Sequence, residues 1–384
     1  METEKQQQAR ICVCHISTVH TPTDVRIFYR ECLSLVKTGY EVHLVIPCEQ
    51  SCVKNGVYIH SIRRVKNRMF RMLFMPWAAI RKALQTNASL YHYHDPELHF
   101  MGFVLRRILG KKVVFDMRES TARQIIAKEW LPNWSRKIVS LLYRAIEKIC
   151  LKDVVLIVAN DKSVEEYELC YLVRNFPEID EELMANAMSM AQRLQEPLLI
   201  YVGGVWESRG AFTYVDLAGA IRDRGHNIRM IIIGPYSREE FAQELQARIN
   251  ELQLQDIVTV TGYMDYPEAM KLVSRAAIGL AILKPTPNHS FCLAGKIIEY
   301  MMCGTPVLCS RFDHWRPYVE GERTCVMADP NDIDEIIEAC DKMLSNPSEL
   351  AAMGERGMQA VRTKYNWNTE FKVLLQCYDD TLKR

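Results

Sequence analysis

A short segment from Gly295 to Val307 combines a positive charge, a negative charge and a predicted helix start. The free N–H groups at a helix start bind anions, and Lys296 adds a full positive charge at that position. Glu299 follows three residues later, about one turn along the helix, so it can project to the same side. A carboxylate beside a phosphate site can accept hydrogen bonds from ribose hydroxyls. The spacing is compatible with a nucleotide site, and also with a lysine and a glutamate on a solvated helix face.

A glycine turn follows the strand predicted at 198–202 and contains Gly203 and Gly204. Glycines at the carboxyl end of a strand let the backbone approach a ligand, and Arg209 can offer a forked donor to phosphate. Such turns are common, so this feature has little weight on its own. The sequence contains neither GxGxxG nor GxxxxGK[ST], which disfavours hydride transfer and ATP-loop chemistry.

Two histidines, His92 and His94, alternate along a predicted strand and therefore share one of its faces. A His-x-His pair can bind a metal ion, but no third ligand occurs at a useful spacing, so no metal site is predicted. The preferred interpretation of His94 is a neutral imidazole that makes one hydrogen bond at the carboxyl end of the strand.

The predicted elements that position these residues form two successive β-α-β series. Buried strands are predicted at 11–16, 42–47, 57–62, 90–94, 113–116 and 154–159, and again at 198–202, 230–234, 258–261, 278–282 and 306–309. Amphipathic helices between them imply parallel strands and an α/β protein with two Rossmann-like, doubly wound domains. The predicted domains are 1–178 and 197–365, joined by a linker at 179–196, with a C-terminal helix at about 366–384 that returns to the first domain. Because ligands bind beyond the carboxyl ends of such strands, the chemistry is expected in a cleft where the two domains face each other.

The charges divide unevenly along the chain. Lys and Arg exceed Asp and Glu by 9 in residues 1–178 and are outnumbered by 8 in the remainder. This asymmetry indicates either a first half that meets an anionic surface or substrate, or two solvated surfaces of opposite sign. The 13 cysteines lack metal-type spacing and are predicted to be free thiols in a reducing compartment. No signal peptide or membrane-spanning run is evident, so a cytoplasmic protein is expected, either soluble or peripheral on the inner face of the membrane.

A basic and aromatic stretch lies in the first half, where residues 51–94 contain no acidic residue. Bases alternate there with large apolar side chains, as in Arg63, Arg64, Phe70, Arg71, Phe74, Trp77, Arg81 and Lys82. Residues 63–82 are predicted to contact an anionic membrane surface, because interfacial segments combine these two residue types. The alternative is a core helix whose apolar side packs inward and whose bases are solvated. Nucleic acid is not expected as a partner, since no recognised binding motif accompanies the patch.

The order of motifs along almost the whole chain resembles the bacterial branch of glycosyltransferase family 4, retaining enzymes with the GT-B fold. The matching blocks are Thr23-Asp24-Val25-Arg26-Ile27-Phe28 with Glu31, Tyr93-His94-Asp95-Pro96-Glu97, Asp116 with Glu119, Tyr201-Val202-Gly203-Gly204 with Arg209-Gly210, and Lys296 with Glu299 and Gly304-Thr305-Pro306. Agreement of several blocks in the same order makes a chance match improbable.

The resemblance implies a role for each matching residue. Arg209 and Lys296 would hold the diphosphate of a UDP- or GDP-linked sugar, with Gly203 and Gly204 at the donor turn and Glu299 at the ribose. His94 would contact the transferring sugar, and Arg26 and Glu119 would lie on the acceptor side. The reaction would transfer the sugar with retention, and without a metal or other cofactor. The acceptor would be a glycan or lipid-linked molecule of surface polysaccharide or glycolipid synthesis.

The sequence departs from the family pattern at two positions. Phe291 stands where the first acid of the family's Glu-x7-Glu pattern falls, and Gly204 stands where relatives often carry a base. Two alternatives therefore remain: a sugar-nucleotide epimerase or phosphorylase of the same fold, and a degenerate, non-catalytic nucleotide-sugar-binding partner protein. A product assay distinguishes the first, and hydrolysis of a nucleotide sugar by the isolated protein counts against the second.

Overall fold

The computed structural model describes residues 10–65, 67–118, 120–126, 132–286, 289 and 292–384. The chain divides into two compact units. The first extends to Asn175 and also includes Trp367–Arg384, and the second is Phe176–Asn366.

The first unit is built on an eight-stranded sheet with the order β3-β4-β2-β1-β5-β6-β7-β8. Its strands are β1 (Cys12–Ile16), β2 (Glu41–Pro47), β3 (Cys52–Lys54), β4 (Val57–Ile62), β5 (Leu90–Tyr93), β6 (Lys112–Met117), β7 (Val155–Val158) and β8 (Cys170–Leu172). The pairings are parallel apart from β3, which pairs antiparallel with β4 at one edge. The short strands β3 and β8 were not predicted from the sequence.

Helices cover both faces of this sheet, as the doubly wound prediction requires. They are Val25–Cys32, which has π-helical turns and continues as α1 (Leu33–Lys37), then α2 (Arg68–Leu84), α3 (His99–Phe103), α4 (Thr121–Ile126), α5 (Asn133–Cys150), α6 (Asp161–Val164) and, at the C-terminus, α16 (Trp367–Lys383). Successive strand residues point to opposite faces. Cys14, Tyr91 and Tyr93 therefore share a core with α2, whereas Val13 and Leu90 share a core with α16.

The second unit has a six-stranded sheet whose pairings are all parallel, in the order β11-β10-β9-β12-β13-β14. Its strands are β9 (Leu198–Val202), β10 (Arg229–Ile233), β11 (Val258–Gly262), β12 (Ile278–Ala281), β13 (Val307–Ser310) and β14 (Cys325–Ala328), the last of which was not predicted. Its helices are α7 (Glu181–Ala185), α8 (Met190–Arg193), α9 (Ala211–Asp223), α10 (Glu239–Glu251), α11 (Tyr266–Val273), α12 (Gly295–Met302), α13 (Arg316–Val319), α14 (Ile333–Leu344) and α15 (Pro347–Thr363). One hydrophobic core runs through the unit.

The prediction of a linker at 179–196 is wrong, because this segment folds as part of the second unit. Asp180 and Ser189 cap the two short helices α7 and α8, and Ser189 forms a reciprocal capping box with Gln192. Arg193 is buried, and its guanidinium donates hydrogen bonds to the carbonyl oxygens of Cys303 (2.8 Å) and Gly304 (3.0 Å). These carbonyls lie at the end of α12, where backbone acceptors lack helical partners. The segment thus anchors the helix that contains Lys296.

Among the described residues, no helix combines the length and apolar content that crossing a bilayer would need. The described cysteines, 13 in number, are all free thiols.

Candidate active site

The order of the second sheet creates a switch point between β9 and β12. Chain connections leave these two neighbouring strands in opposite directions, because β10 and β11 lie on one side and β13 and β14 on the other. In open α/β sheets, ligands bind beyond the carboxyl ends of the strands at such a point. Gly203 follows β9 directly, and α12 begins in the connection that leaves β12. The predicted donor residues therefore lie at the position where this topology favours a ligand.

Gly203 lies against two cationic groups. Its φ of +143° is a conformation that favours glycine. A Cβ built on this residue would stand 2.8 Å from Nζ of Lys296 and 3.3 Å from Nη1 of Arg209. Both charges thus converge on one stretch of bare backbone at the end of β9, as expected for a site that admits a ligand.

Aromatic rings support both cations. Nζ of Lys296 is 3.7 Å from the centroid of the Tyr201 ring, and Cζ of Arg209 is 4.4 Å from that of Trp206. Cation–π contacts of this kind stabilise a positive charge where water is excluded. The rings hold the two basic groups in place without supplying a counter-charge.

The buried nitrogens of this pair lack hydrogen-bond acceptors. Nζ of Lys296 and Nε of Arg209 are buried and have no hydrogen-bond partner among the described residues. Helices α9 and α12, which follow the neighbouring strands β9 and β12, also lack a side-chain cap at their N-cap residues, Gly210 and Ala294. Uncapped helix N-termini and unpaired buried cations favour a bound anion for the same electrostatic reason. The arrangement suits a multiply charged anion such as a diphosphate.

Burial lowers the pKa of Lys296 well below its usual range, and the neighbouring Arg209 lowers it further, whereas Glu299 opposes the shift. A bound diphosphate favours the charged ammonium form, so it raises this pKa. Above the pKa that Lys296 has in the free protein, a nucleotide diphosphate bound beside it would therefore take up a proton, and its affinity would decrease as the pH rises.

We expect the proton uptake to appear in isothermal titration calorimetry with UDP or GDP as the pH is raised from about 7 towards 10, above the phosphate's own pKa of about 6. The observed heat should depend on the ionisation enthalpy of the buffer for the wild-type protein, and not for Lys296→Met. Equal heats in two such buffers for the wild-type protein would show that Lys296 carries its proton before the nucleotide binds.

The other donor-side predictions have different outcomes. Gly204 contacts protein: its carbonyl accepts a hydrogen bond from the Tyr201 hydroxyl (2.9 Å), and a Cβ there would overlap the Trp206 ring at 1.9 Å. Its lack of a side chain therefore makes room for Trp206. Glu299 is half-buried one turn beyond Lys296 on α12, so it lies beside the cationic pair. Phe291 lies outside the described residues.

In the first unit, His94 belongs to a buried hydrogen-bonded group at the carboxyl ends of β1, β5 and β6. Its Nδ1 is 3.2 Å from Oδ2 of Asp116, and its Nε2 is 3.0 Å from Nδ1 of His15. Burial lowers the pKa of His94 to about 3, against the opposing effect of Asp116, so the imidazole is neutral. Since both ring nitrogens have partners inside the unit, the predicted contact with a transferring sugar stays a prediction.

Arg26 was predicted to contact an acceptor or a phosphate, but its guanidinium is only 3% exposed. Nε and Nη2 donate to the two oxygens of Asp116 at 2.8 and 2.9 Å, and Nη2 also donates to the carbonyl of Val173. A buried carboxylate already accepts the forked donors of Arg26, so the predicted acceptor-side contact of this residue stays a prediction. Glu119, the other predicted acceptor-side residue, lies outside the described residues.

Burial favours the neutral form of Asp116, but the charge of Arg26 and hydrogen bonds outweigh it and hold the pKa of Asp116 well below its usual range. Glu31 is affected in the opposite direction. Burial and the nearby Asp116 raise the pKa of Glu31 well above its usual range, although Arg26 opposes the shift. Arg26 therefore lies close to two buried carboxyl groups, but it lowers the pKa of Asp116 below the usual range and does not do so for Glu31.

Comparison with known protein families accounts for both units. The family model described as Glycosyltransferase Family 4 matches residues 25–173, and the one described as Glycosyl transferases group 1 matches residues 187–360. The chain belongs to glycosyltransferase family 4.

Similar proteins agree with this assignment along nearly the whole length of the family 4 chain. An uncharacterized glycosyltransferase of Methanocaldococcus jannaschii is 21% identical over 371 residues, 90% of each chain. Curated relatives with shorter alignments are covered over half of their length or less. Sucrose-phosphate synthase from Thermosynechococcus elongatus superimposes with a TM-score of 0.77 at 17% identity, over 97% of this chain and 99% of that one. A structure of the Anabaena protein HepE in complex with UDP has a TM-score of 0.71 at 12% identity, over 97% and 100% of the two chains. The fold is GT-B, with two parallel-sheet α/β units.

In this family 4 glycosyltransferase the predicted residues form two groups. Gly203, Arg209 and Lys296 converge in the second unit, and His94 and Arg26 converge on Asp116 in the first. Sequence reasoning missed His15 and Tyr378 as members of the first group. The available signal for His15 was its strand: if β1 pairs with β5, then His15 lies directly beside His92, as the structure shows.

Proposed function

We propose that this glycosyltransferase binds the diphosphate of a UDP- or GDP-linked sugar between Arg209 and Lys296. The observation that carries the proposal is the pair of buried, unpaired cationic nitrogens beside Gly203, at the switch point of the second sheet. The leaving diphosphate gains negative charge as the glycosidic bond breaks, and fixed cations in a dry site stabilise that charge most strongly in the transition state. Glu299 accepts hydrogen bonds from the ribose hydroxyls.

We propose that the sugar is transferred with retention of its anomeric configuration, by displacement on the face from which the diphosphate leaves. A departing phosphate oxygen then takes the acceptor's proton, so the protein does not need to supply a base. Arg209, Lys296 and the N-termini of α9 and α12 stabilise the leaving group, and the proposal requires no metal ion at the phosphates. Proton NMR of the product's anomeric centre tests this point, and an inverted product would refute it.

A ligand screen tests the donor proposal. The protein's melting temperature is measured with UDP, GDP, ADP and their sugars, and the best donor is then incubated with and without candidate acceptors. We expect one nucleotide class to raise the melting temperature, because a ligand that binds only the folded state stabilises it. Release of nucleotide that requires an acceptor supports transfer. An altered sugar nucleotide without an acceptor would indicate the epimerase alternative, and binding without turnover would indicate the non-catalytic one.

A large apolar surface in the first unit supports a lipid-linked acceptor. Met75, Ala79 and Ala83 of α2 pack into the core, yet the helix also exposes Phe70, Leu73, Phe74 and Trp77, each more than half accessible. A purely internal helix would bury such side chains, so the core-helix alternative explains only one side of α2. The exposed side fits the predicted contact of residues 63–82 with an anionic membrane.

Helix α5 also exposes large apolar side chains, because polar residues on its inner side are buried while its apolar side faces outward. Ser140 and Glu147 face inward, where Ser140 donates a hydrogen bond to the Ala122 carbonyl and Glu147 accepts one from Tyr167. The outward side carries exposed Trp134, Ile138, Leu141, Leu142, Ile146 and Ile149. A surface helix normally turns its apolar stripe inward. The reversed arrangement therefore indicates an apolar environment outside the protein.

The two helices form one continuous surface, because α3 lies between them. Trp77 of α2 packs edge-to-face on Phe100 of α3 with a centroid distance of 6.3 Å, and His99 of α3 contacts Tyr143 of α5 at 6.2 Å. Exposed bases flank the apolar side chains, among them Arg81, Lys137, Arg144 and Lys148. This combination suits the anionic headgroups and acyl chains of a bilayer. We therefore propose a peripheral protein on the inner membrane face, acting on a lipid-linked acceptor in surface polysaccharide or glycolipid synthesis.

Vesicle co-sedimentation tests the membrane surface. We expect the protein to sediment with phosphatidylserine-containing vesicles, less with phosphatidylcholine alone, and less again at high salt. Leu141→Ser and Phe74→Ser should each weaken binding by about ten- to a hundredfold, because burial of one such side chain contributes about 1.5–3 kcal/mol. The control is Tyr263→Ser, which removes a side chain of the second unit that is 76% exposed. Equal binding by all three variants and the wild-type protein would exclude this surface.

A further inference from the structure

Four buried side chains at the switch point of the first sheet bring possible metal ligands together. His15 lies on β1, His92 on β5, His94 directly after β5, and Glu31 on the helix that follows β1. Each offers one ligand atom, and the four atoms lie within 4.8 Å of one another. The sequence predicted no metal because His92 and His94 had no third ligand nearby in the chain. The parallel pairing of β1 with β5 supplies that ligand from residues far apart in sequence.

Three of these atoms form a triangle of the size that a metal ion needs. Nδ1 of His15 is 3.0 Å from Nε2 of His94, and Oε2 of Glu31 is 3.7 Å from the first and 3.8 Å from the second. Ligands at about 2.0–2.1 Å from a tetrahedral zinc ion stand about 3.3–3.4 Å apart. The separation between the two histidine nitrogens, 3.0 Å, is shorter than this value, and the two distances to Glu31, 3.7 and 3.8 Å, are longer. His92 completes the set, with its Nδ1 at 4.0 Å from the same oxygen of Glu31.

In His94 and His15, the ring nitrogen that points away from the cluster contacts another polar side chain, as in many metal sites. Nδ1 of His94 is 3.2 Å from Asp116, and Nε2 of His15 is 3.1 Å from the Tyr378 hydroxyl. A metal-bound histidine commonly has its second ring nitrogen held by a carboxylate or another polar group, which fixes the tautomer and the ring orientation. In both rings the nitrogen that faces the cluster is the one that makes the His15–His94 contact, so an ion bound there would replace that hydrogen bond.

The cluster also contains polar atoms that lack hydrogen bonds. Arg26 Nε lies 3.1 Å from Oε1 of Glu31, but neither carboxylate oxygen of Glu31 has a hydrogen-bond partner among the described residues. His92 differs, because the nitrogen nearest Glu31, its Nδ1, contacts the Tyr378 hydroxyl at 2.7 Å, and an ion bound there would replace that contact. Unsatisfied polar atoms at zero exposure are costly, and coordination to a cation removes much of this cost.

We propose that His15, Glu31, His92 and His94 bind a divalent transition metal of the zinc class in the core of the first unit. Three imidazoles and one carboxylate are the donor set that such an ion accepts, and a site without solvent exposure has the closed form of a structural centre. The ion would join β1, β5 and the helix Val25–Cys32. It is separate from the diphosphate site and takes no part in the proposed transfer step.

Metal analysis of the full chain tests the site. We expect the purified protein to contain one zinc-class ion per chain by mass spectrometry. After removal of this ion, added Co²⁺ should give the visible absorption of a tetrahedral nitrogen–oxygen site, and the melting temperature should fall and recover with the metal. Glu31→Gln and His15→Gln should each lose the bound ion and the cobalt spectrum.

A second histidine cluster provides a matched control. Cys12, Glu41 and His43 also place possible ligand atoms within 4.8 Å of one another, but this group is half-buried at the other ends of β1 and β2. His43→Gln should keep the ion. Loss of metal from His43→Gln but not from Glu31→Gln would overturn the proposal, as would a wild-type protein that contains no metal and gives no cobalt spectrum. Either result would identify the buried group as a hydrogen-bonded cluster. If both cluster variants fail to fold, the wild-type cobalt spectrum alone decides between these outcomes.

Discussion

Replacing Lys296 with alanine is expected to lower kcat/KM for the nucleotide-sugar donor by about 100- to 1000-fold, the usual effect of removing one fixed donor from a site of developing negative charge. Its ammonium lies beside Gly203, over the Tyr201 ring, without a hydrogen-bond partner among the described residues. Removing it leaves Arg209 to face the diphosphate alone. Steady-state kinetics with the donor identified by the ligand screen measure the change.

Stability measurements separate this functional role from a structural one. A buried ammonium without an acceptor is unfavourable in the free protein, so Lys296→Met, which keeps the apolar stem, should not lower the melting temperature. The matched control is Lys271→Ala, because Lys271 is an exposed lysine of the same unit that pairs with Glu268. It should retain full activity. Lys296 variants that turn over within a few fold of the wild-type rate would place the diphosphate elsewhere.

Replacing Arg26 with methionine is expected to destabilise the first unit by about 3–5 kcal/mol, because it leaves a buried charge uncompensated. Asp116 is fully buried and accepts both forked donors of this arginine. Burying two ions costs free energy, so the intact pair adds little to the stability of the fold. Removing one partner leaves the other ion buried without compensation, and its full desolvation penalty then lowers the stability. Urea denaturation followed by circular dichroism measures the loss, with attention to a separate transition for each unit.

The control for Arg26 is an exposed pair in the same unit. Arg107 pairs with Asp153 at 40% and 47% exposure, so Arg107→Ala should change the free energy of unfolding by at most about 1 kcal/mol. Equal effects of the two substitutions would show that water or a rearranged side chain compensates Asp116. Arg26 would then contribute less to the free energy of unfolding than its buried contacts indicate.

Much of the fold could be predicted because the strands are short apolar runs with helices between them. Aspartate is a common N-cap residue, and the Asp24 carboxylate caps the helix Val25–Cys32 by accepting hydrogen bonds from the backbone N–H groups of Arg26 and Ile27. The segment 179–196 was misread because helices of five and four residues are too short to show a period. Their caps at Asp180 and Ser189 were the available signal.

The candidate site was predictable where its residues lie close together in the chain, as Lys296 and Glu299 do. The buried group around His94 was not, since it depends on which strands are neighbours, and periodicity does not determine strand order. The side of α5 that faces the core could not be predicted either. A 3.6-residue period predicts an amphipathic helix but not which side faces the core, and only the structure shows Ser140 and Glu147 inside.

Helix α16 follows the whole second unit in the chain, yet it belongs to the first unit, whose other segments are synthesised earlier. The indole of Trp367 donates to the Ser34 hydroxyl at 2.8 Å, and Tyr378 closes over His15 and His92. N-terminal domains generally fold while the rest of the chain is still being synthesised. Here one face of the first sheet stays uncovered until α16 has been synthesised. A premature stop codon just before Trp367 would therefore spare every segment of the second unit and still leave the N-terminal half with an open core.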